Sequence, residues 1–274
     1  MIKFPYCKIN IGLEILRKRD DGYHDIRTVM YPVPWTDILE IVPAAGATDT
    51  LTVTGNAVDC PPEQNLVMKA VRALREVAEF PPYDIYLHKI IPDGAGLGGG
   101  SSDAAIAVVM LNDMNALGLS DEDMAMIMSR VGSDCPFFIY DMPMLCEGRG
   151  EIMTPVELDL RGWHLVIAKP ENAHVSTARA YAGVTPCVPQ ASLAEAVNAP
   201  VEEWRTTVKN AFEPSVFAAA PVIALVKSRM QQLGAAYTSM SGSGAAVYGL
   251  FREPVPEEIV RAAFAGCATF CCRL

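Results

Sequence analysis

The chain has 274 residues, 51% hydrophobic and 20% charged, the make-up of a compact globular protein with room for one large domain or two ordinary ones. Its 22 lysines and arginines face 32 acidic residues, and the formal charge of −10 argues against nucleic acid or an anionic membrane as a partner, so an anionic ligand must be captured by a local site. No apolar run approaches the roughly 20 residues of a bilayer span, and the opening "MIKFPYCKIN" lacks the apolar centre of a signal peptide, so a cytoplasmic protein is expected.

Apolar–polar alternation in "KFPYCKINIGLEIL" and "HDIRTVMYPV" predicts two strands around the charged turn "RKRDDGY", an antiparallel pair with a functional loop at its tip. Further strands are expected at "DILEIVP" and "DTLTVTG", followed by a helix over "NLVMKAVRALREVAEF" that Pro81 and Pro82 end. The strand "DIYLHKII" feeds the glycine-rich run "PDGAGLGGGSSDAA", residues 92–105, and a helix should follow at about residues 101–117. Another helix is expected at about residues 121–131, capped by Ser120 with Asp123 three positions on, before "GSDCPFFIY" breaks the helical run. Beyond "MLCEGRGEIMTPV" the pattern changes to a strand "WHLVIAKP", several helices within 176–233, strands in "AYTSM" and "AAVYGLF", a helix at about 256–265 and a last strand "ATFCCRL". That order predicts an α+β architecture with a boundary near residues 155–162.

Cys7, Cys60, Cys135, Cys146 and Cys187 are scattered singly, and Cys267, Cys271 and Cys272 in "CATFCC" form no C-x-x-C pair and have no neighbouring histidine. Small core hydrophobes are therefore expected rather than a zinc site. The methionines of "MAMIMSR" have helical spacing and read as core filling.

The run Pro92, Asp93, Gly94, Ala95, Gly96, Leu97, Gly98, Gly99, Gly100, Ser101 and Ser102 is the candidate phosphate loop. A glycine turn at a helix start gathers unpaired N–H groups at the positive end of the helix dipole, and the serine hydroxyls add donors for a phosphate oxygen or a magnesium ion. A tightly packed turn is the alternative, but so much glycine is costly to order without a ligand. The Walker pattern fails because Gly100 stands where its lysine should be. Gly94, Gly96 and Gly99 satisfy G-x-G-x-x-G, yet Pro92 and Asp93 intervene after the strand and no acidic strand end follows about 20 residues on, so a dinucleotide fold is disfavoured.

The pattern P-x-x-x-G-L-G-G-G-S-S resembles the ATP-binding loop of the GHMP kinase superfamily. Three other segments are similar to motifs of that superfamily in the same order: "KINIGLEILRKRDDGYHDIRTV", "VGSDCPFF" and "SMSGSGAAVYGLF". Together they span residues 8–251, and "DDGYH" is similar to the branch whose substrate is a methylerythritol carried on CDP. The resemblance implies a two-domain α+β GHMP kinase fold, residues 1–158 and 159–274, with the active site in the interdomain cleft. It further implies ATP as co-substrate with Mg2+, γ-phosphate transfer to the tertiary C2 hydroxyl of the CDP-linked alcohol in the non-mevalonate route to isoprenoid precursors, and a monomer or homodimer. Rival readings are a mevalonate, homoserine or galactose kinase, which would not need a base-recognition element, a nicotinamide oxidoreductase, and a catalytically silent nucleotide-binding module.

An alcohol attacking phosphorus needs its proton removed and the growing charge offset. The resemblance makes Asp134 the general base and sets Lys8 beside it to orient the hydroxyl and hold the carboxylate ionised. Strand alternation puts Ile9 and Ile11 on one face and Lys8 and Asn10 on the other, so both polar groups can face a cleft, with Asn10 as a substrate-orienting amide. Tyr23 and His24 are assigned by resemblance to the cytidine end, with Thr177 and Tyr181 of "HVSTARAY" as further contacts and Tyr181 as a second stacking face. Asn65 lies where related kinases contact the nucleotide, although a helix cap explains it equally well. Gly242, Ser243 and Gly244 either close over the substrate and phosphates or form a simple hairpin turn, and Ser101 or Ser102 is the expected contact to magnesium through Mg-ATP. Two departures stand out: Cys7 for alanine before the lysine, and Asp103, where many members carry asparagine and where a carboxylate repels the triphosphate unless it faces away or assists the metal.

Overall fold

The computed structural model describes residues 1–58, 60–189 and 191–274, and among these described residues it has twelve strands and ten α-helices. The strands are β1 (Ile2–Lys3), β2 (Tyr6–Lys18), β3 (His24–Thr36), β4 (Ile38–Pro43), β5 (Thr50–Gly55), β6 (Tyr83–Lys89), β7 (Met144–Gly148), β8 (Ile152–Pro155), β9 (His164–Pro170), β10 (Tyr237–Met240), β11 (Val247–Phe251) and β12 (Cys267–Arg273). The helices are α1 (Leu66–Arg75), α2 (Gly99–Asn115), α3 (Asp121–Ser129), α4 (Phe137–Tyr140), α5 (Thr177–Ala182), α6 (Leu193–Ala196), α7 (Trp204–Thr207), α8 (Glu213–Ala219), α9 (Pro221–Gln232) and α10 (Glu257–Ala263).

Packing sorts these elements into two units that are each discontinuous in sequence: Met1–Lys8, Pro34–Asp93 and Gly98–Met142 in the first, Ile9–Val33, Gly94–Leu97 and Pro143–Leu274 in the second. Residues of β2, β3 and the glycine loop fall in both units.

In the first unit a sheet of order β1-β4-β6-β5 carries α1 to α4. The β5–α1–β6 segment is a parallel crossover, whereas β4 runs antiparallel to β6. The stripe Val67, Ala70, Val71 and Leu74 buries one face of α1, as its spacing predicts. This helix stops five residues before the expected Phe80 because Arg75 turns the chain back, donating to the carbonyls of Phe80 and Pro81 while pairing with Asp49. Helix α3 starts at the Ser120–Asp123 capping box the sequence announced. Among the described residues no helix is long and apolar enough to cross a membrane.

The second unit holds an antiparallel sheet of order β10-β11-β9-β12, on which α9 packs with Ile223, Val226 and Met230 inward. It also holds most of a second sheet, β2-β3-β7-β8, in which β2 and β3 are joined by the turn over residues 19–23 as expected. The β7–β8 hairpin was not anticipated: in "CEGRGE" Gly148 and Gly150 take positive φ and the Gly150 N–H reaches the Glu147 carbonyl, so a stretch that reads as loop is a tight turn. All eight cysteines are free thiols. Cys7, Cys135 and Cys146 are buried as small hydrophobes, but Cys187 and Cys271 are exposed, since the segments that carry them lie at the surface.

Candidate active site

Strand β6 delivers the chain to the glycine loop, and its end is fixed by a buried carboxylate. Asp37 Oδ1 accepts the N–H groups of Ile90 and Ile91, at 2.5 and 2.8 Å. Gly94, Gly96 and Gly98 then take φ of +59°, +74° and +72°, which accounts for glycine at every second position. Packing demands two of them as well, because a Cβ on Gly96 would collide with the Ser241 carbonyl and one on Gly98 would meet the Phe138 ring. Gly100 is different: its missing side chain faces open space, with Leu66 at 3.7 Å the nearest neighbour of a Cβ built there. Helix α2 is capped by Gly98 without a side-chain hydrogen bond, so the N–H groups of its first turn remain available to an anion.

Within the first unit Lys8 lies alongside that helix start, its Cε 3.2 Å from where a Gly98 Cβ would be. Its Nζ is 3.4 Å from Asp134 Oδ2, with Lys8 buried and the Asp134 side chain 36% exposed. The two residues assigned to chemistry thus stand together next to the loop assigned to phosphate. Cys135, the neighbour of Asp134, is an unreactive thiol: burial, with Asp134 adding to it and Ser101 opposing, pushes it up to about 12. Ser102 Oγ is fully buried and has no hydrogen-bond partner among the described residues, whereas Ser101 is partly exposed. An orphaned hydroxyl at a helix start fits a Mg-triphosphate, and it is the serines rather than Asp103 that are on hand, because Asp103 turns away to Lys89 at 2.6 Å. Asn65 caps α1, its Oδ1 accepting the Val67 N–H at 2.9 Å.

Lys89, Asp37 and Asp103 form a sealed ionic cluster in the same unit, each at most 5% exposed. Burial, with Asp37 adding and Lys89 opposing, pushes the Asp103 carboxyl up to about 8. Lys89 moves up despite the lowering effect of burial, because Asp103 and Asp37 together outweigh it.

In the second unit the middle of the glycine loop lies against the third motif, the N–H groups of Ala245 and Ala246 reaching the carbonyls of Gly94 and Ala95. Ser241 Oγ donates to the Gly96 carbonyl at 2.8 Å and accepts the Asn10 N–H at 3.1 Å, while the Asn10 amide donates to Thr28 at 3.0 Å. Asn10 is 2% exposed, so it lies in a buried polar knot and not on an open face, because β2 is covered on both sides here. Gly242 and Gly244 take positive φ in the turn, whose carbonyls at Met240 and Gly242 both accept from Asn210. Asn210 is a residue the sequence did not single out; it sits in "KNAFEP" with no motif around it.

Ser243 Oγ meets Thr177 Oγ1 at 3.2 Å, which brings the third motif to the start of α5. Tyr181 on that helix stacks on His24, ring centroids 4.9 Å apart at 23°, and meets Phe212 in a T-shaped contact, centroids 4.9 Å apart at 83°. Tyr23 is 57% exposed, with the Arg149 guanidinium 4.9 Å from its ring centroid. The expected aromatic group is therefore assembled within one unit, and Arg149 joins it unannounced.

The chain matches the family description "GHMP kinases N terminal domain" over residues 65–142 and "GHMP kinases C terminal" over residues 193–268. It is 48% identical to a protein of Parabacteroides distasonis over 93% of both chains, and 44% identical to one of Porphyromonas gingivalis over 97% of both; each is named 4-diphosphocytidyl-2-C-methyl-D-erythritol kinase. A crystal structure of 4-(cytidine 5'-diphospho)-2C-methyl-D-erythritol kinase superposes with a TM-score of 0.84 at 29% identity, covering 99% of this chain and 98% of the other.

Proposed function

The chain belongs to the 4-diphosphocytidyl-2-C-methyl-D-erythritol kinases of the GHMP superfamily, and from this we propose that it moves the γ-phosphate of ATP onto the C2 hydroxyl of 4-diphosphocytidyl-2-C-methyl-D-erythritol, giving the 2-phosphate and ADP. The step belongs to the methylerythritol phosphate route to isoprenoid precursors. The observation that carries the reading is the Lys8–Asp134 pair beside the uncapped start of α2.

In this reading the N–H groups of the glycine loop, residues 92–102, bind the triphosphate, and Asn65 borders the nucleotide. Asp134 takes the proton of the C2 hydroxyl while Lys8 orients that hydroxyl and offsets charge that grows on the transferred group. Magnesium, brought in with ATP, would neutralise part of the phosphate charge, and Ser102 or Ser101 is the side chain to reach it. Tyr23 and Tyr181 offer ring faces to the cytosine and His24 its hydrogen-bonding groups. Thr177 and the turn of Gly242, Ser243 and Gly244 border the substrate, and Asn10 acts by fixing β2 against that turn. The family halves are taken as residues 1–158 and 159–274, and the protein as a cytoplasmic monomer or homodimer that binds neither nucleic acid nor membrane.

The test is ADP production from Mg-ATP by the purified protein with the cytidylated alcohol, mevalonate, homoserine and galactose offered separately. Turnover with the cytidylated alcohol alone is expected. Turnover with another alcohol overturns the roles of Tyr23 and His24, and ATP binding without any turnover makes the protein a silent nucleotide-binding module.

A further inference from the structure

The buried cluster of Asp37, Lys89 and Asp103 is not used by the chemistry above, yet it sits at both roots of the glycine loop. Asp37 receives the last two backbone N–H groups before Pro92 and also binds the Lys89 ammonium. That ammonium continues to Asp103 Oδ2 at 2.6 Å, and Asp103 lies in the second turn of α2. Nζ of Lys89 also lies 3.2 Å from where a Cβ on Gly99 would be, directly behind the turn whose N–H groups are free. One set of charges therefore ties the strand that enters the loop to the helix that leaves it.

We infer that this cluster is a positioning clamp for ATP: Lys89 and Asp103 hold the first turn of α2 at a fixed height above the end of β6, so that its N–H groups converge on the triphosphate. The inference rests on the reading that ATP phosphates occupy this loop. Charges taken out of water are retained at a cost, and an apolar trio of similar volume would pack the same space without setting the offset between strand and helix. Direct phosphate binding by Lys89 is disfavoured by the same geometry, since two carboxylates occupy its ammonium. Asp103 thereby acquires a role: it faces away from the triphosphate and gives Lys89 something to pull on.

The experiment compares Asp103→Leu with Asp103→Asn. Leucine removes the tether and leaves Lys89 and Asp37 as a one-to-one pair, whereas asparagine keeps an acceptor oxygen. For Asp103→Leu we expect KM for ATP to rise on the order of tenfold, with KM for the cytidylated alcohol within about twofold of the parent. Asparagine should bring the ATP value back toward the parent. Should leucine prevent folding, Lys89→Met combined with Asp103→Asn removes the same tether and leaves the net buried charge unchanged, with Asp37 still accepting the Ile90 and Ile91 N–H groups, and the same rise is expected. An unchanged KM for ATP in a folded variant without the tether, or equal rises for both substrates, overturns the clamp. Absence of ATP-dependent turnover in the parent protein strikes instead at the function on which the clamp rests.

Discussion

Two lysine–aspartate pairs flank the start of α2, alike in composition and opposite in setting. Lys8 and Asp134 are 3.4 Å apart and about a third of the aspartate side chain is open, so the carboxylate can meet a substrate. Lys89 and Asp103 are 2.6 Å apart and sealed, with a second carboxylate, Asp37, on the same ammonium. In the proposed reading the open pair exchanges a proton with a bound alcohol, and the closed one holds backbone in place. Exposure, not residue type, separates chemistry from positioning, and a closed pair with one carboxylate too many is under electrostatic tension that the open pair escapes.

That contrast breaks most sharply at Asp134. Asp134→Asn should lower kcat on the order of a thousandfold while the Tm of thermal unfolding stays close to the parent, because the partly exposed amide keeps an oxygen beside Lys8. Lys89→Met should do the reverse, costing about 3–5 kcal/mol in denaturant unfolding by taking the cation away from the buried Asp37 and Asp103 side chains. His24→Ala is expected to raise KM for the cytidylated alcohol several-fold with KM for ATP unchanged, since it removes the ring stacked on Tyr181.

Asp103→Asn sharpens the electrostatic half of the comparison. The folded-state pKa of Asp103 is raised to about 8, whereas the unfolded chain releases that proton near 4. The folded state therefore binds the extra proton between these values, and stability should fall as pH rises from about 4 to about 8. Asp103→Asn should flatten that slope and stabilise the protein at pH 8, measured by urea midpoints across the range. The smallest effect is expected at the β2–β3 turn, where Arg17 and Arg19 hold the partly exposed Asp25 carboxyl below the usual range. Asp25→Asn should leave the Tm within the scatter of the measurement.

Much of this site can be read in the sequence because its motifs are local. The glycine run, "GSDCP" and "DDGYH" each name neighbouring residues, and strand and helix periodicities place them. What escaped is what long-range pairing decides. Lys89 belongs to no motif, although alternation from Tyr83 through Ile85 and Leu87 puts it on the inward face, where a lysine needs a partner that no local pattern reveals. Asn10 could be placed on a face but not shown to be covered, because its cover is Thr28 and Ser241, the latter 231 residues away. Arg149 and Asn210 carry no motif, and the interleaving of the two units is invisible to a reading that moves along the chain. Asp103 could be flagged from the sequence as unusual; its partner could not.

Interleaving also bears on how the protein is made. Residues 9–33 leave the ribosome early, but the sheet that completes their unit ends with β12 at Arg273. At about 5–20 residues per second, the N-terminal hairpin waits on the order of ten seconds or longer for its last partners, with Ile9, Ile11, Ile15 and Val29 still short of the core that will enclose them. Nascent chains should therefore resist protease late rather than progressively, and chaperones that shield early hydrophobic hairpins become part of this enzyme's assembly.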